Sequence, residues 1–330
     1  MPLLALTAGT LLGGVALRRY CAGGKNEHFP DQTGRYILIT GANSGIGLET
    51  AVGLAKLGAT VTVACRDSEK TRNAVEEIKR RSESTLVTAM YVDLADLRSV
   101  KALADRYLES GQPLHTLINN AGLIMISTRE TSAQGHEKTL AVNHLAHHYL
   151  TRRLLPLLRD SAPSRVINVS AAAPSGISVN LEDLEFEDTP YVPREAYKNT
   201  KLLNILESAQ LNRMTEDLGI LVVSATPGVV RDTDAGRYIF QTPRMALLRD
   251  YVLNPLGYVL AKSLEEGAQT NLYCALAPLD ELEGGAYYKD CQAVVPGCAQ
   301  MSSVEAQKRA WVITENMLSE WLKDVETIWP

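Results

Sequence analysis

From residue 35 onward, short apolar runs alternate with longer stretches whose apolar residues recur at helical spacing. The short runs are Tyr36–Thr40 (YILIT), Thr60–Cys65 (TVTVAC), 86–92 (LVTAMYV), 114–119, 166–170 and 220–225 (ILVVSA). They are short and rich in β-branched and apolar residues, which predicts strands buried on both faces, as in a parallel sheet. The stretches 46–57, 68–81, Leu97–Glu109, 136–158 and 196–218 predict helices between them. A further helix is expected over 303–325, with Trp311, Leu318 and Leu322 turned inward. Strand–helix alternation joined by right-handed crossovers gives an α/β fold, a doubly wound parallel sheet in a single domain over 35–330. Ligands of such a sheet sit at the carboxyl ends of the strands.

The amino-terminal pattern is different. Residues 2–17 (PLLALTAGTLLGGVAL) carry no charge, and Arg18 and Arg19 follow directly. A cleaved signal peptide, a membrane anchor and a soluble packing helix compete for this run, which is slightly shorter than the roughly 17–25 residues of a spanning helix. Basic residues after the run, rather than before it, argue against a signal peptide. They also favour an anchor over 1–22 that leaves the rest of the chain in the cytosol. The endoplasmic reticulum is the expected membrane, with the mitochondrion or lipid droplet as alternatives. Residues 23–34 (GGKNEHFPDQTG) read as a linker.

Composition changes this picture little. Of 330 residues, 33 are basic and 38 acidic, a formal charge of −5; 45% are hydrophobic and 22% charged. Such usage excludes a disordered chain and a polytopic membrane protein, and the mild acidity argues against a nucleic-acid partner. Five scattered cysteines, with no CxxC and no His/Cys cluster, exclude a disulfide framework and a zinc site and fit reduced thiols.

Chemistry enters directly after the first strand, at Thr40-Gly41-Ala42-Asn43-Ser44-Gly45-Ile46-Gly47. Gly41 allows a sharp turn, Gly45 clears space for a pyrophosphate, and Gly47 permits close helix–strand packing. The helix amino terminus supplies amide donors and a positive dipole end. Glycines alone would fit a plain tight turn; their position between strand and helix points to a dinucleotide held by Gly41, Asn43, Ser44, Gly45, Ile46 and Gly47. The second strand ends at Cys65-Arg66. An acidic residue there would favour NAD(H), whereas Arg66 suits the 2′-phosphate of NADP(H); NAD(H) is the alternative cofactor.

These motifs resemble the short-chain dehydrogenase/reductase superfamily, a Rossmann fold, over almost the whole chain beyond the linker. The resemblance rests on the glycine turn, Val92-Asp93-Leu94, Asn119-Asn120-Ala121-Gly122, Val142-Asn143-His144, Asn168-Val169-Ser170, Tyr197-Lys198-Asn199-Thr200-Lys201 and Pro227-Gly228. Ala64-Cys65-Arg66-Asp67, Ser161-Ala162-Pro163-Ser164-Arg165 and Gly267-Ala268-Gln269-Thr270 are similar to the retinol-dehydrogenase-like branch, whose members commonly carry an amino-terminal anchor. The resemblance implies that Asp93, next to Leu94, holds the adenine amino group. It places Asn120, Ala121 and Gly122 along the adenosine ribose, and Pro227, Gly228 and Val230 beside the nicotinamide. It further implies that Lys201 holds the nicotinamide ribose and that Asn143 positions a water in a proton relay.

Tyr197 and Lys201 lie four apart, on one helical face. A nearby ammonium is expected to lower the phenol pKa, making Tyr197 the acid–base group for hydride transfer. Two positions depart from the family pattern. Ala171 stands where the catalytic serine is usual, 26 residues before Tyr197 (197 − 171), leaving Ser170 or Ser175 as substitutes. Strand alternation predicts that Ser170 aims away from the substrate unless the strand ends or bulges. Asp232 stands where threonine is usual, with Thr233 next to it. His144, His147 and His148 read as packing or surface residues rather than ligands.

Residues 231–262, with Ile239, Phe240 and the run 245–260 (MALLRDYVLNPLGYVL), are expected to form the substrate lid; a plain core helix fits the run equally. The lid's apolar side chains suit a lipophilic molecule or a membrane surface. The expected function is interconversion of a lipophilic alcohol and its aldehyde or ketone, retinoid-, steroid- or lipid-like. A catalytically weakened or non-catalytic NADP(H)-binding sensor or scaffold is the alternative, motivated by Ala171 and Asp232. A membrane-surface interaction protein is a third reading. The resemblance implies a homodimer or a membrane-bound monomer.

Overall fold

The computed structural model describes residues 17–171, 178–231, 258, 260–295 and 297–329. The apolar run up to residue 16, Ser175, Asp232, Thr233 and most of the expected lid lie outside the described residues. Eight strands form one sheet: β1 Tyr36–Thr40, β2 Thr60–Cys65, β3 Val87–Tyr91, β4 Thr116–Asn119, β5 Ser164–Val169, β6 Ile220–Thr226, β7 Tyr287–Lys289 and β8 Gln292–Ala293. Their order is β3-β2-β1-β4-β5-β6-β7-β8, and every pair is parallel except β7–β8. The order reverses direction between β1 and β4, which opens a crevice at their carboxyl ends.

Both faces of the sheet are buried because successive strand residues point to opposite sides. Leu38, Leu117, Val166 and Val222 share one core with helices α3 (Leu97–Glu109), α4 (Ala146–Asp160) and α5 (Pro193–Thr215), and α7 (Val304–Met317) closes over α5. Ile37, Ile39, Val63, Ile118, Ile167 and Val223 share the other with α1 (Gly45–Lys56), α2 (Glu69–Ser82) and α6 (Leu264–Leu276). Trp311 and Leu318 are buried and Leu322 is half-buried, as the carboxy-terminal pattern predicts.

Three elements differ from expectation. β3 forms the edge and is not buried on both faces: Thr88, Ala89 and Tyr91 are exposed, and among the described residues no strand pairs with its outer side. Just before α4 the chain forms a π-helical turn, Ala141–Leu145, of the kind that widens a helix locally at functional positions. Residues 23–34 are not a loose linker. Arg18 pairs with Glu266 at 2.5 and 2.7 Å, the Asn26 amide donates to Gln269 Oε1 at 3.1 Å, and His28 meets Glu281 at 3.2 Å. The segment therefore lies along α6. Among the described residues no helix is long and apolar enough to cross a membrane.

Candidate active site

The turn after β1 is built as the glycine spacing requires. Gly41 and Gly45 have φ of +69° and +61°, the left-handed region that side chains disfavour. A Cβ at Gly47 would lie 2.7 Å from the Gly41 carbonyl, so helix and strand close up only around glycine. A Cβ at Gly45 would face open space. Ser44 caps α1 without a side-chain hydrogen bond, which leaves the first amides of α1 without a side-chain acceptor. An uncapped helix terminus behind an open glycine cradle fits a pyrophosphate.

Around this cradle the described residues take up recognisable posts. The Arg66 guanidinium is exposed at the end of β2 and has no hydrogen-bond or ion-pair partner among them. Thr71 Oγ1 donates to the Arg66 carbonyl at 2.8 Å and accepts from Asn43 Nδ2 at 3.1 Å, tying the glycine turn to the Arg66 loop. Asp93 accepts from the Ala95 amide at 2.9 Å beside buried Leu94, so its carboxylate shapes its own turn. Asn120 Nδ2 donates to the Thr40 carbonyl at 2.9 Å. Pro227 is buried, and the Gly228 amide donates to Thr226 Oγ1 at 3.2 Å. Val230 and Ile46 both crowd Gly267, which brings the loop after β6 against the start of α1.

The chemical groups gather beyond β4 and β5. Lys201 Nζ, only 7% exposed by residue, donates to the Val169 carbonyl at 2.8 Å and lies 5.9 Å from the Tyr197 ring centre. A Cβ on Gly122 would lie 3.4 Å from Asn143 Oδ1 and 3.5 Å from Lys201 Nζ, ordinary contact distances that bring Gly122, Asn143 and Lys201 to one place. The Asn143 amide is spent on structure. Its Oδ1 accepts from the Leu123 amide at 2.7 Å, and its Nδ2 donates to the Leu123 carbonyl at 2.9 Å and to Thr200 Oγ1 at 3.1 Å. Asn143 thus fixes the loop that follows Gly122.

Two expectations need correction. Burial pushes the Tyr197 phenol up to about 12 and the Lys201 ammonium down to about 8. Burial alone raises the phenol, and it favours the neutral form of Tyr197. The Ser170 hydroxyl, in a residue 2% exposed, donates to the Lys201 carbonyl at 2.6 Å. It braces α5 and is not offered to a substrate, because alternation along β5 turns it away from the crevice. Ala171 is half-buried, and its carbonyl accepts from the Tyr287 hydroxyl at 2.9 Å.

Sequence reasoning undervalued one histidine. Thr40 Oγ1 accepts from the Asn120 amide at 2.9 Å and the Ala121 amide at 3.0 Å, and it meets His147 Nε2 at 2.9 Å. With both lone pairs occupied, the Thr40 proton must point at Nε2, which makes Nδ1 the protonated nitrogen. Nδ1 in turn faces the Asn143 carbonyl at 3.3 Å. Burial pushes His147 down to about 4, consistent with that neutral tautomer. His144 and His148 lie deeper: Glu207 is 3.3 Å from His144 and 3.1 Å from His148, and Glu315 is 2.8 Å from His148 and pairs with Arg152. All three histidines are buried, and no cluster among the described residues suits a metal ion.

Comparison with known proteins agrees with this geometry. The family model for short chain dehydrogenase matches residues 35–181. Human retinol dehydrogenase 12 is 38% identical over 277 residues, covering 84% of both chains. Human retinol dehydrogenase 13 is 34% identical over 312 residues, 94% of this chain and 92% of its own. Among solved structures, the Pseudomonas aeruginosa RhlG/NADP active-site complex is 28% identical with a TM-score of 0.61, covering 79% of this chain and 95% of that one. A Mycobacterium paratuberculosis protein is 27% identical with a TM-score of 0.70, covering 90% and 98%. The uncapped cradle, the Tyr197–Lys201 pair and these likenesses together make the chain a member of the short-chain dehydrogenase/reductase family, in its retinol-dehydrogenase-like branch, and an NAD(P)-dependent oxidoreductase acting on CH–OH donors.

Proposed function

We propose that the protein interconverts a lipophilic alcohol, retinoid-, steroid- or lipid-like, with its aldehyde or ketone, using NADP(H), with Tyr197 as the acid–base residue. The observation that carries this reading is the convergence of Tyr197, Lys201, Asn143 and Gly122 at the carboxyl ends of β4 and β5. The exposed, unpartnered Arg66 supports NADP(H) over NAD(H), and the NADP named in the RhlG complex is consistent with it. The substrate class follows the names of the retinol dehydrogenases the chain matches.

The bound nicotinamide cofactor supplies or accepts the hydride; the chain's own work is with the proton. In reduction, neutral Tyr197 donates its phenolic proton to the substrate oxygen as the carbonyl carbon gains a hydride, giving the alcohol. Lys201, anchored on Val169, stabilises the phenolate left behind. Asn143 and Thr200 hold the wall next to it. Association with a membrane through residues 1–22 belongs to the same proposal, and deleting residues 2–16 should release the protein from sedimenting membranes.

The decisive experiment titrates the full chain in detergent with NADPH and NADH through nicotinamide fluorescence, then assays an aldehyde panel on wild type and Tyr197→Phe. Tighter NADPH binding with turnover abolished in Tyr197→Phe is the expected result; unchanged turnover in that variant refutes the role of Tyr197. The second reading, a non-catalytic NADP(H)-binding sensor, is favoured by Ala171 together with the diverted Ser170 hydroxyl. NADPH binding with no turnover in either wild type or Ala171→Ser would establish it. A rise of roughly a hundredfold in Ala171→Ser would instead mark a working enzyme short of one donor.

A further inference from the structure

The loop after β6 is held by an ion pair that lies outside the nucleotide cradle. Lys262 is 4% exposed, and its Nζ pairs with Asp290 Oδ1 in the β7–β8 turn. Its backbone forms a parallel bridge with Val230: the Lys262 amide donates to the Val229 carbonyl at 2.9 Å, and the Lys262 carbonyl accepts from the Arg231 amide at 3.0 Å. Its side chain runs beneath Gly228, where a Cβ would lie 3.4 Å from Cε and 3.5 Å from Nζ. A lysine that buried is costly to hold, and the cost is met only while its partner is fixed.

Asp290 is fixed by the amino-terminal segment. Cβ atoms on Gly23 or Gly24 would collide with the Asp290 carboxylate or carbonyl, so the segment sits on this residue in glycine-only contact. Asp290 has a φ of +53°, a left-handed conformation that a non-glycine residue keeps only when its surroundings impose it. On the same side the Arg18–Glu266 pair fastens the segment to α6, one residue before Gly267, which packs on Val230 and Ile46. The contacts therefore run continuously from Arg18–Gly24 through Asp290 and Lys262 to Gly228–Val230.

We propose that Lys262 is a positioning residue for the cofactor-bordering loop Pro227–Val230, and that the docked segment 18–26 works through Asp290 and Lys262 as a structural part of the cofactor site. The proposal rests on the dehydrogenase reading given above. It makes the stretch after the apolar run a strut rather than a tether. Displacing the segment loosens the loop after β6 without touching Tyr197 or Lys201.

The test uses full-length protein in detergent and compares wild type, Gly24→Val, Asp290→Asn and Lys262→Met with Gly111→Ala. Gly111, at φ +66° in the turn before β4 with nothing within 4 Å of its Cβ position, supplies a destabilised control away from the loop. NADPH affinity, KM for NADPH, kcat with one aldehyde and thermal midpoint are measured on each. The expected result is an NADPH Kd and KM about tenfold higher in the three variants, within the usual range of coupling between sites, with kcat changed less than twofold. Gly111→Ala should lose thermal stability while keeping wild-type affinity. Gly24→Val acts on the segment alone, so it decides the question if Asp290→Asn or Lys262→Met does not fold. Wild-type affinity in folded Gly24→Val or Asp290→Asn overturns the proposal, as does an equal loss of affinity in Gly111→Ala. If the wild type binds neither NADPH nor NADH, the reading of the cradle as a nicotinamide-cofactor site falls, and the proposal with it; if it binds NADH alone, the same comparison is made with NADH.

Discussion

Replacing Thr40 with valine tests the wiring of the site at one oxygen atom. The side chain is fully buried, and valine keeps its shape while removing the hydroxyl. Three partners lose their bond at once: the Asn120 amide at 2.9 Å, the Ala121 amide at 3.0 Å and His147 Nε2 at 2.9 Å. An orphaned buried donor costs about 1–3 kcal/mol. The Asn120 amide keeps a second acceptor in the Ile118 carbonyl at 3.1 Å, so one orphaned amide and one unpaired imidazole nitrogen give a destabilisation of about 2 kcal/mol. At roughly 2–3 °C per kcal/mol for a domain of this order, the thermal midpoint should fall by about 4–6 °C. Thr40→Ser is the control, since it keeps the hydroxyl and loses only a methyl group, worth about 1 kcal/mol. Urea unfolding gives the stability and NADPH fluorescence gives the affinity. The affinity should also drop in Thr40→Val, because Asn120 and Ala121 form the turn beside the cradle. If Thr40→Val is no less stable than Thr40→Ser, the three-way bond at Thr40 does not hold the site and the tautomer assigned to His147 loses its basis.

Three further outcomes follow from the geometry. His147, with its pKa depressed from 6.5 to about 4, is neutral in both states above pH 6.5 and penalises the folded state as pH falls from 6.5 toward 4. That is a loss of about 3 kcal/mol; His148 is raised and His144 lowered, so the contribution is isolated as the difference between wild type and His147→Gln in urea midpoints from pH 7 to 4. Because burial keeps the Tyr197 phenol protonated, alcohol oxidation should climb nearly tenfold per pH unit from 6 to 8 while aldehyde reduction stays nearly flat; a flat oxidation profile contradicts the phenolate requirement. Arg66→Glu should weaken NADPH binding by at least tenfold and leave NADH binding within about threefold, on the reasoning that a charge-assisted phosphate contact is lost; equal losses for both cofactors would remove Arg66 from the 2′-phosphate role.

Much of this molecule is legible along the chain because its signals are local. β1 and β2 begin and end where their apolar runs do, and the glycine turn lies where strand meets helix. The direction of Ser170 follows from alternation alone, and the hydrogen bond to Lys201 bears it out. What stays hidden depends on neighbours distant in sequence. β7 and β8, at three and two residues, are strands only because β6 offers an edge to pair with. The exposure of β3 is a consequence of being last in the sheet, which its own residues do not record. Ionisation belongs here as well. The four-residue spacing places Lys201 beside Tyr197, but whether lysine or burial sets the phenol's pKa depends on how much water the rest of the fold excludes.

The glycine pair at the amino terminus shows why composition misleads in a systematic way. Gly23-Gly24 beside polar residues has the composition of a flexible linker, and glycine in a linker and glycine in a close contact are chemically identical. They are told apart by what lies opposite, and here that is Asp290, more than 260 residues away. The same holds for Lys262 and Asp290, which belong to no motif and become meaningful only when β7 and β8 bring the turn under Gly228. The closeness of Tyr197 and Lys201 is therefore readable along the chain, because one helix carries both residues. The parts that set the loop bordering the cofactor are not, because the first segment of the chain, the end of the sheet and the start of α6 must meet before those parts exist.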